Sequence, residues 1–282
     1  MSLSFYTPLP GPPPRSLFEE LGIPYVRWVH PLADDDRVLP PGVWHLYVDG
    51  FSTRGVEVCF DEGRLQARLL IGAAVADFKL ALAVMHAAAR RGGARIEPED
   101  RDPCTADELA GRFNDCWVRR TAEWGAWALR DQVLERGMIT LICPIRHFNL
   151  GPRMVRQLDV GPSVGFPDRL LAAICRLQFL DPHRYKEAAQ IEGRAPGGQR
   201  IELPIWTPDQ GYLFPSLPHV CVLERNHGVV IPSEAVPELP KVRAQWVDEH
   251  RLLVEPVPRA MWPVLYAAAL CQQVDPIGTR TS

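Results

Sequence analysis

From Val43 the chain alternates in two-residue steps. Trp44, Leu46 and Val48 are apolar, and His45, Tyr47 and Asp49 stand between them, which is the pattern of a strand with one buried face. Residues 50–55 begin and end in glycine and make a turn, 56–60 run back, Asp61-Glu62-Gly63 turns again, and 65–71 complete a three-strand meander. The period then changes. Phe78, Ala81, Leu82, Met85 and Ala89 recur at helical spacing behind Asp77, and Gly92-Gly93 stops them.

A similar sequence of signals follows. Thr105-Ala106-Asp107-Glu108 has the form of a capping box, and Leu109, Phe113, Trp117, Trp124, Trp127 and Leu134 predict one long helix or two consecutive ones ending near Gly137. Residues 138–143 read as a buried strand stopped by Pro144, and 154–160 as a further strand. Asp168 caps a helix with Leu170, Ile174 and Leu177 on its buried side. Residues 183–218, dense in proline and glycine, predict irregular chain. Strands resume at 220–224, 228–231 and 252–255, and a last helix gathers Trp262, Leu265, Tyr266, Ala269 and Leu270, with Pro263 tolerable only in its first turn. Strands followed by helices, twice over, predict an α+β fold: antiparallel sheet meanders with helices packed on one face. One sheet and two similar subdomains are both compatible with that pattern.

Composition changes the picture at the N-terminus. Nine of the 28 prolines fall within residues 1–41, so this stretch reads as a proline-rich arm carrying one short helix at 16–21. Residues 42–145 then form the meander with its helices, and 146–282 a second α+β section. The start has neither a basic nor an apolar leader segment, and the longest uncharged apolar run, 260–271, is too short to span a membrane. Seven scattered cysteines without a CxxC pair fit a reduced, cytoplasmic protein. The formal charge of −3 offers no basic excess for nucleic acid.

Charge is nevertheless unevenly placed. Asp34, Asp35 and Asp36 form an acidic run in the arm, and Glu97, Glu99, Asp100, Asp102, Asp107 and Glu108 face only Arg101. Such a loop is either a solvated face beside a helix start or a patch that meets a basic partner.

One catalytic motif is present in form: Gly161-Pro162-Ser163-Val164-Gly165 matches the GxSxG nucleophile elbow. Ser163 would need His227 or His250 as base and Asp209 or Glu224 to orient it. Phe166-Pro167 delay the helix that should follow the serine at once, and no HGGG-like segment precedes it, so a plain Gly/Pro loop is the competing reading. His183 and Glu187 at i, i+4 make half a metal site; His147, His219 and His227 sit beside proline, glycine or apolar residues. No metal and no cofactor is predicted, because no phosphate-cradling glycine loop or complete ligand set occurs.

The stretch Trp44-His-Leu-Tyr-Val-Asp-Gly-Phe-Ser-Thr-Arg-Gly-Val56, the strand and Ala/Leu helix that follow, and Cys143-Pro-Ile-Arg-His-Phe-Asn-Leu-Gly-Pro-Arg153 resemble bacterial immunity proteins. The likeness is to cytoplasmic, TsiT-like antidotes of type VI secretion effectors with a restriction-endonuclease-like nuclease domain. It spans residues 40–155 and rests on hydrophobic spacing and a few Gly, Trp and Pro positions. It implies a protein that binds a cognate toxin encoded by an adjacent gene and occludes it, with no catalytic residue to carry over. The expected toxin-binding residues are Asp34, Asp35, Asp36, Glu97, Glu99, Asp100 and Asp102. A serine hydrolase acting through Ser163 is the alternative.

Overall fold

A computed structural model of the chain describes residues 2–29, 42–161, 165–194, 200–225 and 227–274. The meander lies where the alternation puts it: β3 (Val43–Val48), β4 (Val56–Asp61) and β5 (Arg64–Leu70) pair in sequence, with Trp44 opposite Val58 and Val58 opposite Ala67. Trp44, Leu46, Val48, Val56 and Val58 are all buried. The helix predicted behind Asp77 is α2 (Val75–Gly92), and Gly93 closes it in the left-handed conformation at φ 60°. Its Phe78, Ala81, Met85 and Ala89 are buried as expected and Leu82 only partly; Leu80, Val84 and Ala88 are buried as well, so α2 has one broad buried face opposite exposed Lys79, His86 and Arg90. Each large apolar side chain so removed from water contributes about 1.5–3 kcal/mol.

The first residues differ from the expected arm. β1 (Ser2–Pro8) lies inside the sheet, antiparallel to β5 on one side and to β6 (Glu97–Pro98) on the other, and β2 (Val26–Val29) pairs with β3. The result is a six-stranded antiparallel sheet in the order β2-β3-β4-β5-β1-β6. Phe5 and Thr7 are fully buried in it. The prolines mislead because they follow β1 instead of interrupting it: Pro8 is the strand's last residue, where a missing N–H costs least. The short helix at 16–21 is present as α1 (Ser16–Glu19), which buries Leu17 and Phe18. Asp34, Asp35 and Asp36 lie outside the described residues.

The capping box forms. Thr105 Oγ accepts from the Glu108 amide at 3.3 Å, and Glu108 Oε2 accepts from the Thr105 amide at 2.9 Å, opening α3 (Ala106–Arg112). Asn114 caps a second helix, α4 (Asp115–Arg136), so the two-helix alternative holds. The hairpin of β7 (Ile139–Leu141) and β8 (Phe148–Leu150) follows. Residues expected to form a strand at 154–160 are instead α5 (Pro152–Leu158), because Met154, Val155 and Leu158 share one buried face only as a helix. α6 (Phe166–Gln178) starts two residues before the expected cap: Pro167 sits in its first turn and Asp168 inside it.

Internal contacts divide the chain into two units, Met1–Phe179 and Leu180–Ser282, so the boundary expected near residue 145 falls within the first. The second unit holds β9 (Tyr185–Glu187), β10 (Gln190–Arg194), β11 (Arg200–Trp206), β12 (Gly211–Pro215), β13 (His219–Glu224), β14 (His227–Pro232), β15 (Ala244–Asp248), β16 (Arg251–Val254) and α7 (Trp262–Cys271). They form two four-stranded sheets, β10-β11-β13-β14 and β15-β16-β12-β9, over a core around Trp206, Phe214 and Trp262. The stretch 183–218, expected to be irregular, therefore supplies four strands. Their prolines sit at strand ends or, as Pro204, beside the antiparallel partner Gln190. The fold is α+β, dominated by antiparallel sheet.

Candidate functional site

The loop between β3 and β4, Gly50-Phe-Ser-Thr-Arg-Gly55, is held from inside. Asp77 is fully buried, and its Oδ2 accepts from the amides of Thr53 (3.1 Å), Arg54 (3.2 Å) and Ala74 (2.8 Å) and from Thr53 Oγ (3.0 Å). Thr53 Oγ also stands 2.7 Å from Gly72 O, so its single proton is shared between that carbonyl and Asp77. Arg54, 6% exposed, donates from Nε to Ile142 O at 2.6 Å and from Nη1 to Ile71 O at 3.0 Å. Burial pushes its guanidinium below its ordinary value, against the pull of neighbouring acidic groups. Gly55 is required here: at φ 65° an added Cβ would stand 2.5 Å from Leu46 O. This polar cluster fixes the turn between β5 and α2, and that turn forms one wall of the site.

The site is a cleft of about 800 Å³ within the first unit. Its floor is the end of the sheet, with Leu3 of β1, Leu69 and Leu70 of β5, and the Ile71–Gly72 turn; its far wall is α4, presenting Trp117, Arg120, Thr121 and Trp124. At one end α4 lies directly on the turn. A Cβ on Gly125 would be 3.2 Å from the Gly72 amide nitrogen, and one on Gly72 would be 2.6 Å from Leu129 Cδ1. The loop after β6 also lines the cleft, through Glu99 and Asp100.

Two tryptophans differ in role. Trp117 belongs to an edge-to-face series, 4.7 Å from Phe113 and 5.7 Å from Phe78, with Phe5 5.1 Å beyond Phe113. Arg101 lies over the Phe113 and Trp117 rings at 5.4 and 5.6 Å. Trp124, one helical repeat on, is 53% exposed. An exposed tryptophan in a concavity is the residue type that anchors protein interfaces.

The acidic loop is rigid and partly neutralised. Ile96 and Cys104 pinch it through two backbone hydrogen bonds of 2.8 Å, Arg95 donates to Pro103 O at 2.8 Å, and Arg112 donates to Asp102 O at 3.0 Å. Glu97 pairs with Arg64, Asp107 with Arg90 at 3.0 Å, and Glu108 serves the cap. Hydrogen bonds from Thr105 hold the Glu108 carboxyl below the usual carboxylate range. Glu99 Oε2 accepts from the Ser4 amide at 3.0 Å. Asp100 and Asp102 remain exposed, Asp100 with only a 4.0 Å contact to Arg101. Of the predicted binding carboxylates, Glu99 and Asp100 border the cleft and Glu97 does not; Asp102 lies with Asp100 in an adjoining surface depression.

Ser163 lies outside the described residues. The element before Gly161 is the helix α5, where a nucleophile elbow would have a strand. Asp209, one proposed orienter, accepts from the Arg259 amide at 2.8 Å and from Arg259 Nε at 3.1 Å. His183 and Glu187 do not share a helix face, because Glu187 is in β9. Among the described residues no group of three or more His, Cys, Asp or Glu is placed to hold a metal ion, and no helix is long and apolar enough to cross a membrane.

Sequence reading names Trp117 and Trp124 only as helix residues. A signal was present: Val118, Ala122, Gly125, Ala126, Leu129 and Val133 form the buried stripe of α4, and both tryptophans flank it, seven positions apart. No protein-family model matches the chain, and no curated protein or solved structure matches it either.

Proposed function

We propose that this chain is a cytoplasmic immunity protein that binds and neutralises a cognate antibacterial toxin of a type VI secretion system, a nuclease, by occlusion. The observation that supports a binding role is the cleft lined by α4, to which exposed Trp124 and exposed Asp100, the latter with only a 4.0 Å contact to Arg101, both contribute. Its means are those of recognition: apolar burial, an aromatic anchor and charge, with no histidine among the lining residues. The toxin as partner comes from the resemblance of residues 40–155 to immunity proteins.

The test is co-expression with the product of the adjacent gene, followed by affinity capture. Rescue of growth with one-to-one capture supports the reading, and loss of both ends it. Ser163→Ala is expected to leave rescue intact. If instead fluorophosphonate labels the protein and Ser163→Ala abolishes the labelling, the hydrolase alternative takes its place.

A further inference from the structure

We infer that the cleft beside α4 receives a short protein segment that presents a large apolar side chain next to a basic one. The apolar side chain lies against Trp124 and the ammonium or guanidinium meets Asp100. The inference rests on the binding reading above and names the chemistry of what is bound.

Size and lining come first. A cleft of about 800 Å³ with a largely apolar floor suits a few side chains of a partner and is far too small for a folded domain. Trp124 is 53% exposed, so stacking an apolar group on it removes water from both surfaces. Trp117 is already committed to Phe113, Phe78 and Arg101, and therefore forms a fixed back wall.

Charge supplies the second requirement. Arg101 is held over two aromatic rings and touches Asp100 only at 4.0 Å, and one oxygen of Glu99 is taken by the Ser4 amide, so Asp100 is the cleft carboxylate most open to an incoming cation. Asp102 in the neighbouring depression adds to the same negative field. Arg120 of α4 also lines the cleft and repels the same cation. The basic residue is thereby confined to the Asp100 side, and the segment enters in one direction. Because the loop is pinched at Ile96–Cys104 and α4 is seated on Gly72, little ordering is left to do on binding.

The experiment is to pan a random peptide phage library on the immobilised full-length chain, then titrate the enriched peptides by tryptophan fluorescence and polarisation. The expected consensus pairs Phe, Trp, Leu or Met with Arg or Lys. Trp124→Ala and Asp100→Lys should each weaken binding about tenfold or more, and Arg120→Glu should strengthen it. Trp124→Phe, which keeps a ring, should retain most of the affinity, and thermal melts of each variant report whether the fold is kept. No enrichment, a consensus without a basic residue, or affinity indifferent to Trp124 and Asp100 would overturn the inference. Peptide binding without rescue from the adjacent gene's product removes the toxin reading alone. Full rescue by Trp124→Ala and Asp100→Lys removes the cleft alone.

Discussion

Asp77 shows how one buried carboxylate organises a local region. A single oxygen accepts four donors from three residues, linking the β3–β4 loop to the start of α2, while Oδ1 is buried without a hydrogen-bond partner among the described residues. Asp77→Ala leaves those donors stranded away from water, and urea unfolding should show a loss on the order of 3 kcal/mol. Asp77→Asn keeps an accepting oxygen and should lose less. Glu108 makes a pH prediction. Its carboxyl titrates below the ordinary range because the folded state donates hydrogen bonds to the charged form. A carboxyl with a depressed folded value contributes stability that is complete above the ordinary unfolded value, about 4.3, and is lost as pH falls through the folded value. Thermal melts followed downward from neutral pH should therefore decline less steeply for Glu108→Gln than for the native chain. A decline of equal steepness would show that the capping box does not contribute to acid sensitivity.

At the scale of elements, the close seating of α4 on the turn before α2 shapes the cleft. Gly72 has φ 83° and Leu129 at 2.6 Å from the position of any Cβ. Gly72→Ala combines backbone strain with overpacking, and a cost of about 1–3 kcal/mol is expected in denaturant unfolding. Because the same change lifts α4 from the turn, Trp124 fluorescence should shift as well. The elements themselves were unevenly legible. The meander and α2 stand where hydrophobic period puts them, and α3 and α4 lie where their caps and Gly137 bound them, but the stripe expected on α4 is not its buried one: Trp124 and Leu134 are exposed, and Val118, Ala122, Leu129 and Val133 are buried. α5 was read as a strand because seven residues with Met154, Val155, Leu158 and Val160 fit either period. β9 to β12 were hidden by proline and glycine, which mark strand ends here and not an absence of strands.

For the whole molecule, the acidic loop is the feature whose meaning changed most. Sequence counts six carboxylates against one arginine, and from that alone reversal of Glu97, Glu99, Asp100 and Asp102 to lysine should slow association with the toxin and flatten its salt dependence. Folding brings Arg64 to Glu97, Arg90 to Asp107 and the Ser4 amide to Glu99, each from an element distant in the chain. The arginines offset Glu97 and Asp107, and Glu99, Asp100 and Asp102 remain as the exposed carboxylates with no close cationic partner. The double change Asp100→Lys and Asp102→Lys should reproduce a large part of the fall in on-rate at low salt, measured by stopped flow with the captured partner.

Taken alone, the order of residues determined the α+β class, the β3–β5 meander and the helices with clean stripes and caps, because these depend on interactions within a few positions along the chain. It also placed Glu99 and Asp100 among the candidate binding residues through local charge density. Tertiary structure alone decided that β1 enters the sheet beside β6, that Trp124 is exposed while Trp117 is half-buried among Phe113 and Phe78, and that Glu97 meets Arg64 while Asp100 stays open to solvent. Those outcomes depend on which distant residues meet, and strand pairing, aromatic packing and charge neutralisation across many residues leave no periodic trace in the sequence.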